Sequence, residues 1–242
     1  MSEGRRRTLL SFSVFALGAG ILFAAWCWWT APGGGEEGDI PPRLRQVLEW
    51  NSRLWASPPS HRLSVLKPEP PAGKIPRTNG DLGLKNVVDV NLWRLEVYSD
   101  DSADARHLQL SLAELRALPR TTFSTEFRCV EGWSEDMSFA GIKFTDFMKA
   151  YGLQSKKYVA LVSVDGEYYV SIDMESMEHE QTLLAYEMNG KPLLHQNGAP
   201  LRLVIPIKYG IKNLKQIGKI YFSDTRPPDY WAEQGYDWFA GL

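Results

Sequence analysis

The sequence predicts an α+β domain whose sheets are mixed or antiparallel and are joined by short helices. Three observations predict it. Short runs of alternating apolar and polar residues recur over the last two thirds of the chain. Asp165-Gly166 and Asn189-Gly190 separate pairs of such runs as hairpin turns, and no regular strand-helix-strand rhythm links them. Of 242 residues 44% are hydrophobic and 12% aromatic, enough for the core of one domain with appendages. A net charge of -2 argues against a polyanion as the main partner, and no nucleic-acid motif occurs.

The N-terminal segment reads as an appendage to that domain. Thr8 to Trp29 carry no charge and are long enough to cross a bilayer as a helix. Trp26, Trp28 and Trp29 lie at the far end, where an aromatic belt belongs. Arg5, Arg6 and Arg7 precede the run, which places the N-terminus in the cytoplasm and everything after about residue 30 outside it. The same arginines resemble a twin-arginine export signal. No small-residue cleavage site follows, and Trp26 spoils a lipoprotein box at Cys27, so residues 1–30 are read as a retained anchor or a twin-arginine-like signal. Residues 31–74 are a Gly-rich tether, a short amphipathic helix carrying Leu44, Val47, Leu48, Leu54 and Trp55, and a proline-rich linker. The helix's apolar face is expected to dock on its own domain, which occupies residues 75–242.

Within the domain each element has a local reason. Trp93, Leu95 and Val97 alternate as a strand. Ser111 and Glu114 form a capping box for a short helix that Pro119 ends. Thr121 to Arg128 alternates again, with Cys129 in phase with Phe127. Phe144 to Tyr151 is a helix closed by Gly152. The hairpins join Tyr158–Val164 to Glu167–Ile172 and Leu183–Met188 to Lys191–Leu194, with a helical turn over Met174–Glu180. Leu201–Pro206 and Ile217–Ser223 complete the strands.

Two features carry chemistry. Cys129 is the one cysteine outside the apolar N-terminal segment, in Phe127-Arg128-Cys129-Val130-Glu131-Gly132-Trp133. A lone cysteine is more often a buried apolar residue than a ligand. Arg128 beside it would favour the thiolate, the form that binds metals. The second feature is a run of cations, Arg202, Lys208, Lys212 and Lys215, broken by Gly, Asn and Pro. Such a run is usually a solvated face, but Arg forks, Lys point charges and turn amides also hold phosphate. No nucleophile elbow, phosphate-binding P-loop, HExxH or dinucleotide fingerprint occurs. The four histidines have no ligand spacing, although His195 and Tyr209 lie near the basic run.

Arg-Cys-Val-Glu-Gly-Trp, followed by Gln-Asn-Gly-Ala-Pro-Leu-Arg-Leu-Val-Ile-Pro-Ile-Lys-Tyr-Gly-Ile-Lys, resembles the molybdopterin-binding domain of the sulfite oxidase superfamily. Within it, the chain looks most like the periplasmic catalytic subunits that reduce protein-bound methionine sulfoxide. The resemblance implies that Cys129 is the molybdenum ligand of a molybdenum-molybdopterin cofactor, for which a soft thiolate is suited. It implies that Asn197 and Arg202 hold the pterin and its phosphate and that Asn213, Leu214 and Lys215 form a backbone and lysine cradle. Ser163 corresponds to a pterin-contacting threonine and Asn79 to an N-terminal pterin contact. Ile207 departs from the family pattern, which has a tryptophan there. The chain also stops at Leu242 before its relatives do, which leaves the pocket rim open, and neither the immunoglobulin-like nor the haem domain of sulfite oxidases is present.

The resemblance implies a two-electron oxygen-atom transfer. Glu131 is expected to bring a carboxylate near the metal. Two like charges about 6 Å apart repel by roughly 3 kcal/mol at an effective dielectric of about 20, which disfavours sulfite and tolerates a neutral sulfoxide. The expected reaction is reduction of an S-oxide with Glu131 as proton donor, the alternative for Glu131 being a turn residue or a partner of Arg128. Sulfite oxidation and a non-catalytic binding module remain as alternatives. With no haem, iron-sulfur or flavin motif in the chain, electrons would come from a membrane haem or quinol-linked partner.

Overall fold

The computed structural model describes residues 3–31, 41–55, 64, 66–70 and 74–242. The tether expected before Asp39 and most of the proline-rich linker lie outside the described residues. α1 (Glu3–Thr30) contains a stretch long and apolar enough to cross a membrane. α2 (Pro42–Trp55) starts directly after Pro41, as helices with proline at the first position do.

Among the described residues ten strands make two five-stranded sheets. The first runs β2 (His107–Leu110), β1 (Leu95–Tyr98), β10 (Ile217–Ser223), β5 (Tyr158–Ser163) and β6 (Tyr169–Asp173). Only β1 and β10 are parallel; the other pairs in it are antiparallel. The second runs β3 (Arg120–Arg128), β4 (Ser134–Lys143), β7 (Leu183–Met188) and β8 (Lys191–Pro192), with β9 (Arg202–Val204) also paired to β7, all antiparallel. The short helices are α3 (Leu112–Arg116), α4 (Phe144–Tyr151), α5 (Met174–Met177) and α6 (Tyr230–Glu233).

The local expectations hold where the signal is local. Ser111 and Glu114 make both halves of the capping box, Gly152 ends α4 in the left-handed conformation, and Trp93, Leu95 and Val97 are buried together. β4, one of the two strands that flank the Cys129 turn, escaped the sequence reading. It carries Gly141, a residue that weakens strand patterns. A Cβ there would lie 2.1 Å from the carbonyl oxygen of Leu184, so glycine is what lets β4 and β7 approach. The ladder shifts register between Ala140 and Gly141.

The main core fills the space between the sheets and α4, with Leu95, Phe144, Phe147, Leu161, Leu203 and Phe222 fully enclosed. A smaller cluster, built on Met137, Phe139, Leu183 and Val204, lies under Phe127 and Trp133. The linker boundary shifts from expectation. Leu66 bridges to Thr125, Lys67 N donates to the carbonyl of Ser124 at 2.9 Å, and Ser64 exchanges hydrogen bonds with Gln181, so parts of 31–74 belong to the domain surface. Ile207 packs in the main core. Leu242 N donates to its carbonyl at 3.0 Å and Tyr209 N to that of Ala240 at 2.9 Å, which clamps the end of the chain onto this segment.

Candidate active site

Cys129 follows the last residue of β3 and opens the turn into β4. Its amide donates to the carbonyl of Trp133 at 2.9 Å and its carbonyl accepts from Gly132 N at 3.1 Å. The turn needs a positive φ at its fourth position, and Gly132 supplies φ 86°. Cys129 is 8% exposed and, with Phe127 from the same side of β3, lines a cleft of about 140 Å³ that opens to solvent. Arg128 turns the other way and pairs with Glu126 at 2.9 Å, so the arginine expected to favour the thiolate is spent on a surface ion pair.

The facing wall comes from β9 and the loop before β10. Arg202 is 4% exposed and its guanidinium donates to three carbonyls, Asn197 at 3.1 Å and Leu203 and Asn213 at 3.5 Å. No carboxylate offsets its burial, which pushes its pKa down to about 10. Lys215 lines the same cleft, and its ammonium donates to the carbonyls of Asn79 at 2.8 Å and Gly80 at 3.0 Å. Burial and the neighbouring Arg202 push it down to about 8. Asn213 accepts from Ile205 N at 2.7 Å and donates to the carbonyl of Tyr209 at 3.1 Å, which fixes the loop under Arg202.

The third wall is the segment Arg77–Gly80. Asn79 donates through Nδ2 to the sulfur of Cys129 at 3.8 Å, and Arg77 stacks 4.5 Å over the ring of Trp133. Asn197 also faces the cleft. Cys129, Asn79, Asn197, Arg202, Asn213 and Lys215, scattered in sequence, thus share one space.

Other expectations are corrected. Ser163 does not line this cleft. Its hydroxyl donates to Asp165 at 2.6 Å and accepts from Tyr168 N at 3.0 Å, and it faces a separate groove near Val87 and Asp89. Leu214 is fully buried in the core; its amide donates to Lys212 and its carbonyl accepts from Leu203, so it offers no free cradle group. Lys212 pairs with Asp229, and Lys208 with Asp173 at 3.0 Å, both inside the protein. Glu131 sits outside the cleft lining, exposed. Its carboxylate is held below the usual range by hydrogen bonds from Asn79 and from the Trp133 indole, with Arg77 adding to the effect. These contacts favour the ionised form of the carboxylate. His195 meets Gln216 at 3.3 Å and, like Tyr209, does not line the cleft.

Sequence reasoning missed Tyr168 and Trp231, which also line the cleft. Tyr168 is buried, donates its hydroxyl to the carbonyl of Ile211, and has its pKa pushed well up by burial. Only the hairpin signal placed Tyr168 on a strand; Trp231 follows Pro227-Pro228, a turn signal with no periodicity around it.

A soft thiol on one wall and two cations without bound carboxylates on another suit an organic ligand that is anionic at one end and binds a thiophilic metal at the other. The fold and the cleft together define a molybdopterin-binding oxidoreductase domain. Residues 82–231 match the family described as oxidoreductase molybdopterin binding domain, and the chain belongs to that family. It is 39% identical over 158 residues to a putative protein-methionine-sulfoxide reductase subunit, YedZ1, of Azospira oryzae, covering 64% of this chain and 58% of the relative. It is 39% identical over 121 residues to the protein-methionine-sulfoxide reductase catalytic subunit MsrP of Xanthomonas axonopodis pv. citri, covering 44% of this chain and 38% of the relative. The chain thus spans 58% of the first of these relatives and 38% of the second. The sulfane dehydrogenase SoxCD from Paracoccus pantotrophus shares the fold, with a TM-score of 0.52 at 20% identity over 58% of this chain and 40% of that one.

Proposed function

We propose that this protein is a membrane-anchored, extracytoplasmic molybdenum enzyme that reduces an S-oxide, with protein-bound methionine sulfoxide as the first candidate. The observation that carries the proposal is the cleft in which the sulfur of Cys129 faces the side of Arg202 and Lys215. When bound, a molybdenum-molybdopterin cofactor supplies two-electron oxygen-atom transfer.

The chain's own residues bind and orient. Cys129, as thiolate, would ligate the metal. Arg202 and Lys215 would take the phosphate, since each turns its donors toward carbonyls and, among the described residues, neither is ion-paired with a carboxylate. Asn197 and Asn213 hold Arg202 through their carbonyls, and Asn79 donates to the sulfur.

Substrate preference rests on the rim. The ionised carboxylate of Glu131 lies next to the turn that bears Cys129 and repels an anion such as sulfite, while exposure to water weakens that repulsion. Trp133, Phe127 and Trp231 offer apolar rings suited to the methylenes of a methionine sulfoxide.

Arg5, Arg6 and Arg7 in the first turns of α1, ahead of its apolar stretch, support an extracytoplasmic domain, and a membrane haem or quinol-linked subunit is the electron donor that fits an anchored domain. Sulfite oxidation is the competing reading. The test is the full chain in detergent, assayed for molybdenum per chain and for turnover of methionine sulfoxide and of sulfite on one preparation, beside Cys129→Ala. Metal in the parent, its loss in the variant and sulfoxide turnover support the proposal. Brisk sulfite oxidation without sulfoxide reduction overturns the substrate, and a metal-free parent refolded with cofactor overturns the class.

A further inference from the structure

α2 is an amphipathic helix docked the unusual way round. At about 100° per residue, Leu44, Val47, Trp50 and Leu54 fall within an arc of about 120°, which Arg43 and Asn51 share. Arg45 and Glu49 fall on the opposite side, about 40° apart. The polar side meets the domain: Arg45 donates to the carbonyl of Ala232 at 3.3 Å, and Glu49 pairs with Arg226 at 2.7 Å. The apolar side points away from it. Leu44, Val47, Trp50 and Leu54 are 38%, 47%, 63% and 53% exposed while Leu48 is half-buried, so of the described residues expected to dock, Leu44, Val47 and Leu54 turn away from the domain.

The position of α2 names what covers that face. Arg43, at its first turn, donates to the carbonyl of Trp28 and stacks 3.4 Å over the Trp28 ring. Trp28 lies in the last turns of α1 with Trp26 and Trp29, the part of a spanning helix that sits at headgroup depth. The start of α2 is therefore held at the height of the bilayer surface. A helix with a mainly apolar side and an opposite charged side at that height lies in the interface, its apolar side chains in the acyl boundary and Arg43 held at the Trp28 level.

We infer that α2 lies in the surface of the membrane that α1 crosses, with Leu44, Val47, Trp50 and Leu54 inserted, and that it fixes the domain to that surface. This rests on reading α1 as a membrane anchor. Its consequence for the enzyme is orientation. α2 grips Ala232, and the adjacent Trp231 of the same short helix lines the cleft. The cleft is thereby set at a defined height and angle above the bilayer instead of swinging on a tether.

The test uses the full chain, reconstituted in phosphatidylethanolamine-phosphatidylglycerol vesicles in a Cys27→Ser background, with a polarity-sensitive fluorophore on a single added cysteine. Leu17→Cys reports α1, Val47→Cys the apolar side of α2, and Gln46→Cys its exposed polar side; the background without an added cysteine corrects for label at Cys129. Quenching is read with lipids that carry a nitroxide below the headgroup or deep in the acyl region. The expected result is deep quenching at 17, shallow quenching at 47 exceeding that at 46 by about twofold or more, and water-like emission at 46. If 17 is deep but 47 is as aqueous as 46, the inference is overturned and the anchor stands. If 47 is shielded from water without lipid quenching, a protein surface covers it and the inference is overturned. If 17 is aqueous, the anchor reading fails and takes the inference with it.

Discussion

The side-chain amide of Asn79 donates to the sulfur of Cys129 across 3.8 Å, joining residues 50 positions apart, while the carbonyl of the same asparagine accepts from Lys215 at 2.8 Å. One exposed residue thus ties the segment before the first strand to both chemical ends of the cleft. In a metal site such a contact orients the ligand rather than binding the metal, and losing it typically weakens metal retention without unfolding the protein.

Asn79→Leu is therefore expected to lower molybdenum affinity by about 10-fold, with thermal stability nearly unchanged because the amide is solvent-accessible. Metal per chain after dialysis against a chelator, read beside the melting curve, checks this. Asn79→Asp, which keeps the shape but removes the donor, should behave like the leucine variant. Retention of full metal by both variants would remove Asn79 from the site.

Arg202 and Lys215 should bind inorganic phosphate or pyrophosphate without the rest of the cofactor. Added pyrophosphate is expected to raise the melting temperature of the metal-free parent and not that of Arg202→Met. Lys215 is pushed down to about 8, so its charge is present below that pH and lost above it, and protection should fall as pH rises through 8. Lys215→Arg should flatten that pH dependence. For the empty protein the sign is opposite. Between about pH 8 and 10 the unfolded lysine still binds its proton while the folded one does not, so this residue's contribution to stability rises with pH.

Lys212, 1% exposed, pairs with Asp229, which also accepts from Ser171 N at 2.9 Å and from Ala232 N at 3.1 Å at the start of α6. Asp229→Ala leaves an ammonium uncompensated inside the protein and should cost about 3–5 kcal/mol. The double variant Lys212→Met, Asp229→Leu should recover much of that loss. Chemical denaturation of the three proteins measures it; equal losses in single and double variants would mean that the capping bonds, and not the charge pair, dominate.

Gly198 adopts φ 97°, and a Cβ there would sit 2.8 Å from that of Lys215. Gly198→Ala should cost about 1–3 kcal/mol from backbone strain and crowding and should push Lys215 away from the cleft. Pyrophosphate protection should then be lost at temperatures where the protein remains folded by circular dichroism.

The elements legible in the sequence are those whose cause lies within a few residues. The Ser111 capping box, the Gly152 helix end and the turns at Asp165-Gly166 and Asn189-Gly190 all depend on neighbours in the chain. β4 was not legible because the reason for Gly141 is the backbone of Leu184, more than forty residues away. The apolar stripe of α2 was legible as a stripe, but not the direction it faces, since Arg226 and Ala232 at the other end of the chain decide that.

The site divides along the same line. Local composition and the family resemblance marked Cys129 and the basic run, and with them the class of chemistry. Among Arg202, Lys208, Lys212 and Lys215 the sequence offered four alike charges. The fold gave Lys208 and Lys212 to Asp173 and Asp229 inside the core and left Arg202 and Lys215 facing the sulfur. A buried charge must find a partner, and which charges have one is settled by the packing of distant segments, so that choice belonged to the tertiary structure alone.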